Sequence, residues 1–175
     1  IGKLVSIQKE MEEVANYQNK AHRDALTKLY NREGFRSHLP QEARDVTFAI
    51  MDMDNFKMVN DTLGHDGGDY ALNYLARTLE DTMGEEAVIG RYGGDEFVVA
   101  MTKVSAEEAG RRFEKLVRAM NVELHFEGNT REISISVGAV YTSEMKPFEE
   151  LLHQADEVLY KTKEEGKNNF KLVVK

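Results

Sequence analysis

The chain has 175 residues, a net charge of -8 and no cysteine. That length suits one domain plus an appendage and leaves no room for a second enzyme, while the acidic balance argues against a nucleic-acid surface, which would be basic. The missing cysteines exclude a disulfide frame and a thiolate zinc site, no run of about 18 apolar residues offers a membrane span, and the charged start lacks the apolar core of a signal peptide.

In chain order, residues 1 to 23 place Leu4, Ile7, Met11, Val14, Gln18 and Ala21 at alternating steps of three and four, a heptad stripe. It predicts a dimerising helix or, alternatively, an amphipathic helix packed on its own domain. Because the chain opens on Ile rather than Met, it is expected to be a segment of a longer protein. Residues 1 to 23 would then be the end of an upstream signalling helix, fed by a sensory domain. Asn31 can cap a helix running to about Arg44. Residues 46 to 53 form an apolar run of strand formers that ends in Asp52-Met53-Asp54. If the strand continues, Asp52 and Asp54 share a face; if a helix starts at once, Asp54 becomes its N-cap. The second reading is preferred for Asp54, which leaves Asp52 as the better metal ligand.

A short helix over 55 to 62, a loop over 64 to 68 and a longer helix from Asp69 to Met83 lead into the most informative segment, Arg91-Tyr92-Gly93-Gly94-Asp95-Glu96-Phe97. Its flanks read as strands, ending near Met101, with Gly-Gly as a two-residue turn. Glycines there let a phosphorylated ligand approach the backbone, and adjacent carboxylates on a rigid turn can hold a hard divalent cation. A tight turn with solvated acids would account for Gly-Gly-Asp alone; the second acidic cluster at Asp52 tips the reading toward a metal-nucleotide site. Ser105 starts a capping-box helix to about Met120, residues 121 to 127 and 131 to 141 read as two strands around a Gly128-Asn129 turn, a helix spans 147 to 165, and a strand follows at 170 to 174. Neither a phosphate-loop motif nor a nucleophilic serine elbow occurs, and the five histidines show no metal spacing.

Five motifs in this order resemble the GGDEF domains, whose active members are diguanylate cyclases: 24 to 32, Asp52 to Asp61, Gly64-His65 with Gly68-Asp69, Gly93 to Phe97, and Tyr160 to Asn168. The resemblance covers residues 24 to 175. It implies an α/β (α+β) palm-like fold, a mixed, antiparallel-containing sheet covered by helices, similar to class III nucleotidyl cyclases. It also implies condensation of two GTP into cyclic di-GMP in a homodimer of half-sites, with two Mg2+ or Mn2+ per site, in the cytoplasm. The implied metal ligands are Asp52, the Met53 carbonyl and Asp95, with Glu96 as a further ligand or as the group handling the hydroxyl proton. Backbone amides at Asn55, Phe56 and Lys57 would bind the triphosphate at a helix N-terminus. Lys163 and Lys167, four apart and so on one helix face, would join them. The family usually has arginine at position 167, so the planar fork for phosphate is lost. Asn60 and Asp69 would select guanine, since a carboxylate can accept from both N1-H and the exocyclic amine. Gly93 and Gly94 would give the substrate its close approach. Two departures stand out. Gly84-Glu85-Glu86-Ala87 occupies the place of the Arg-x-x-Asp product-inhibition site, and Lys28 replaces a glycine of the opening motif. A silent GTP-binding module is the alternative reading.

Overall fold

The computed structural model describes residues 2–175; the side chains of residues 18 and 19, and with them the Gln18 position of the heptad stripe, lie outside the described residues. The elements run α1 (Gly2–His22), α2 (Arg32–His38), β1 (Arg44–Met53), α3 (Phe56–Met83), β2 (Val88–Arg91), β3 (Glu96–Met101), α4 (Ala106–Met120), β4 (Val122–Phe126), β5 (Asn129–Ile133), β6 (Ile135–Glu144), α5 (Phe148–Glu164) and β7 (Asn169–Val174). Five strands form one sheet in the order β2-β3-β1-β6-β7, antiparallel except for the parallel β6-β7 pair, and β4-β5 is a separate hairpin.

Strand residues alternate between two faces, and here both faces are covered, which is why the apolar runs are continuous. Ala49, Met51, Phe97, Val99, Val137 and Ala139 pack with Leu72, Leu75, Leu79, Phe113 and Leu116 of α3 and α4. Phe48, Ile50, Val98, Ala100 and Val140 pack with Phe35 of α2 and with Leu151, Ala155, Val158 and Leu159 of α5. Gly138 sets the closeness of that second layer: a Cβ there would lie 2.1 Å from Leu159 N and 2.5 Å from Ala155 O. One turn beyond Leu159 is Lys163, so the contact at Gly138 fixes where Lys163 reaches the sheet.

Several boundaries differ from the sequence expectation. Asn31 caps α2, accepting from Gly34 N-H at 2.9 Å, but the helix stops at His38 rather than near Arg44. Leu39 is extended, as the residue before a proline tends to be. The expected strand 131 to 141 breaks at Ser134 into β5, which pairs with β4, and β6, which pairs with β1. The β4-β5 turn is Glu127-Gly128, both at positive φ, a geometry that suits the twist of a two-residue hairpin. The loop expected over 64 to 68 is only a kink: Gly64 alone leaves helical geometry, at φ 78°, and helix resumes at once.

The C-terminus of α1 is fastened to α2, because Asn31 donates from its side chain to Ala21 O at 2.7 Å and from its backbone to His22 O at 2.9 Å. The rest of its apolar stripe, Leu4, Ile7, Met11 and Val14, is exposed, so the helix does not pack on its own domain. No helix among the described residues is long and apolar enough to cross a membrane.

Candidate functional site

At the end of β1 the pairing register sets Asp52 directly opposite Glu96 of β3 on one side and Ser136 of β6 on the other. Lys163 reaches across from α5 and bonds the Asp52 carboxylate through Oδ2. The other oxygen, Oδ1, is buried with no partner among the described residues. Burial pushes the Asp52 carboxyl up, bonding to the Lys163 ammonium pulls it down, and the charges of Asp95 and Asp54 push it up again, for a net rise. Glu96 is raised as well, first by burial and then by Asp156 and Asp52, with Arg32 opposing.

Beyond β1 the chain turns through Asn55, which is left-handed at φ 54°, into α3. Asn55 precedes the helix but its side chain does not cap it. Met58 and Val59 are the first to donate to the Asn55 carbonyl, so the helix ladder does not use the amides of Asn55, Phe56 and Lys57. Asp54 is therefore not the N-cap. It is buried instead, bonded to Ser134 and Ser136. Two helical residues, Phe56 and Asn60, lie against Gly68, folded over them by the Gly64 kink; a Cβ on Gly68 would stand 1.8 Å from Asn60 Oδ1.

Lys167 does not share a helix face with Lys163. The helix α5 ends at Glu164, and Gly166 N-H donates to Lys163 O while Lys167 N-H donates to Thr162 O, a Schellman stop. Lys167 then points back from the loop, its Nζ 3.1 Å from Asn55 Oδ1.

These residues line one concavity of about 530 Å³: Asp52, Met53, Asp54, Asn55, Phe56, Lys57, Asn60, Asp95, Lys163 and Lys167. Four expected site residues lie outside it. Glu96 stands beside it, across from Asp52; Asp69 is exposed on α3 and no N-cap, next in the chain to Gly68; Gly93 and Gly94 border a separate recess of about 450 Å³ with Asp24, Arg32 and Tyr92. The hairpin is not closed by a two-residue Gly-Gly turn, because Tyr92 and Gly93 N-H both donate to Glu96 O. Neither signature glycine adopts a positive φ.

Arg91 forms an ion pair 3.2 Å from Asp24, and also donates to Gly94 O at 2.7 Å. Asp24 is partly buried, which pushes its carboxyl up, but bonds from the Thr27 hydroxyl and amide and the Arg91 charge outweigh this and hold it low. The opening motif is thus tied to the signature loop. Lys28, in place of a glycine, sits at φ 66°, the region where glycine is at ease. Sequence reasoning missed Ser134 and Ser136, whose alternation along one edge was the available signal.

Residues 21–169 match the family described as "Diguanylate cyclase, GGDEF domain". The chain belongs to the GGDEF family. It is 40% identical over 156 residues to the probable diguanylate cyclase DgcC of Escherichia coli, covering 83% of this chain and 42% of that protein. With the diguanylate cyclase DosC of Escherichia coli it shares 31% over 182 aligned positions, 98% of this chain and 39% of the relative. The chain thus spans about two fifths of the length of these curated relatives. Among solved structures, the coiled coil and GGDEF domain of DgcB from Caulobacter crescentus, in complex with c-di-GMP, superposes with a TM-score of 0.85 at 25% identity, over 98% of this chain and 95% of that one. The diguanylate cyclase SiaD of Pseudomonas aeruginosa, in complex with its activator SiaC, gives 0.75 at 27% identity, over 98% and 71%. GGDEF domains share the palm-like fold of nucleotidyl cyclases, and this sheet with its helices has it.

Proposed function

We propose that this GGDEF domain is a diguanylate cyclase, condensing two GTP into cyclic di-GMP and two pyrophosphates across a homodimer of half-sites. The observation that carries the reading is the concavity in which Asp52, Asp95, three lysines and an uncapped helix N-terminus converge. Among the described residues no three His, Asp or Glu side chains are gathered tightly enough to hold a metal alone. Mg2+ or Mn2+, two per site, would accordingly be held by a few protein oxygens and completed by substrate phosphates. The buried, unpartnered Asp52 Oδ1 fits such a cation, with the Met53 carbonyl, Asp95 and Glu96 as its neighbours in the ligand set. When bound, the cations acidify the attacking 3'-hydroxyl and neutralise phosphate charge.

The chain's own groups do the positioning. The Asn55, Phe56 and Lys57 amides receive the triphosphate, aided by the helix dipole. Lys57, Lys163 and Lys167 neutralise it, and Asn60 with Asp69 selects guanine. Gly93 and Gly94 leave room at the tip for close approach. Each nucleotide's 3'-oxygen attacks the α-phosphorus of the other, and pyrophosphate leaves. A single domain holds one GTP, so two must face each other. The exposed stripe of α1 supports a coiled-coil dimer, driven by an upstream sensory domain. GTP supply places the domain in the cytoplasm. Gly84 and Ala87 stand where the Arg-x-x-Asp site would have its charged ends, in a recess also lined by Arg23, Glu80 and Glu85, so no strong product inhibition is expected through it.

Incubation with GTP and Mg2+ at several protein concentrations, with products separated by chromatography, tests the proposal. Cyclic di-GMP formed at a rate rising faster than linearly in protein, and lost in Asp95→Ala, is expected. GTP binding without product, even in an enforced dimer, would instead indicate a silent GTP-binding module.

A further inference from the structure

Among the described residues, Asp54 is the most deeply buried acid or base, 6% exposed, and the chemistry above assigns it no task. Its carboxylate accepts from three separate segments. Ser136 Oγ of β6 donates to Oδ1 at 2.6 Å, while Ser134 Oγ, from the break between β5 and β6, donates to Oδ2 at 2.7 Å. The third donor is the backbone N-H of Asn168, in the loop after α5, 3.0 Å from Oδ2. A carboxylate offers acceptors to all three at once, where an amide would keep a single acceptor oxygen and lose the charge that strengthens these bonds.

The Asn168 bond bears on the pocket because of the loop's shape. Gly166, Lys167 and Asn168 run in succession at φ 121°, 61° and 48°. L side chains disfavour that region, and two such residues in a row need restraint from outside the loop. The Schellman bonds restrain its near end, through Gly166 and Lys167 N-H. Asp54 restrains its far end, through Asn168. Between these two anchors Lys167 is turned so that its ammonium meets Asn55, the residue that follows Asp54 in the chain. One buried carboxylate therefore joins the start of the α3 amide cradle to the loop that supplies a cation for the same cradle.

We propose that Asp54 is a positioning residue for the triphosphate: it pins the loop after α5 so that Lys167 faces the Asn55 to Lys57 amides. The proposal rests on the GTP reading of the pocket. Its test is a double-mutant cycle on affinity for a non-hydrolysable GTP analogue with Mg2+, measured by calorimetry for the unaltered chain, Asp54→Asn, Lys167→Met and the double variant. Each single change is expected to weaken binding about tenfold, the scale of one lost charge-assisted contact. The double variant should fall within about twofold of Asp54→Asn, since the lysine has already lost its place. Weakening that multiplies in the double variant, or Asp54→Asn binding as tightly as the unaltered chain, would overturn the proposal while leaving the GTP reading intact. Failure of the unaltered chain to bind the analogue would overturn both. If thermal melting shows Asp54→Asn unfolded, Ser134→Ala replaces it in the cycle. Removing that one donor to Oδ2 should weaken binding about threefold, again without multiplying with Lys167→Met.

Discussion

A Cβ built on Gly94 would meet nothing within 4 Å, and one on Gly93 only Glu96 Cβ at 3.6 Å, whereas one on Gly138 would stand 2.1 Å from Leu159 N and one on Gly68 1.8 Å from Asn60 Oδ1. The signature glycines are therefore not required by the packing of their own domain, and their φ values do not call for glycine either. Gly138 is required by facing backbone, and Gly68 by the present placement of Asn60, a side chain of the site. The fold uses glycine where helix meets sheet or helix meets helix. At the hairpin tip the absent side chain leaves space for something outside the domain, which in the proposed reaction is nucleotide.

This contrast can be broken at several points. Gly138→Ala should cost about 3 kcal/mol or more, because the obstructing atoms, Leu159 N and Ala155 O, are backbone of α5 and cannot turn away; a urea midpoint close to the unaltered value would refute the packing account. Gly68→Ala should displace Asn60, weaken GTP binding about tenfold and lower GTP-over-ATP discrimination, read by calorimetry with each nucleotide; unchanged discrimination would remove Asn60 from base selection. Gly94→Ala should leave stability within about 0.5 kcal/mol while cyclic di-GMP formation falls; equal turnover in both proteins would place this glycine outside the reacting space.

The neighbouring carboxylates extend the comparison to charge. Glu96 has a raised pKa in the fold, so its contribution to stability is fully present below about pH 4.3, the ordinary glutamate value, and is lost as pH rises through the higher folded value. Glu96→Gln should thus raise the urea midpoint at pH 7 and give progressively less gain toward pH 4; a gain independent of pH would assign the effect to packing. The smallest effect is expected at Lys28→Gly. Relief of a left-handed side chain, partly offset by the entropy of glycine, should stabilise by no more than about 1 kcal/mol, measured by thermal melting.

Local chemistry was legible in the residues themselves. The apolar run before Asp52 reads as a strand because both sheet faces are covered, and Asn31 and Ser105 cap their helices through the bonds that their side chains are suited to make. The candidate residues at 52, 53, 55 to 57, 60, 95, 163 and 167 were identifiable, and one concavity gathers them. What needed the tertiary structure was which partner each would meet. Lys167 was expected on a helix face, but Gly166 ends α5 and the lysine arrives through a left-handed loop. Asp54 was read as an N-cap from its immediate neighbours, while its actual donors at Ser136 and Asn168 stand 82 and 114 positions away. The pairing of Asp52 with Glu96 likewise depends on the register between β1 and β3. Helix and strand preferences arise from a residue and its near neighbours, and so they are written along the chain. Register, buried polar partners and the convergence of charges depend on how distant surfaces pack, and only the folded molecule decides them.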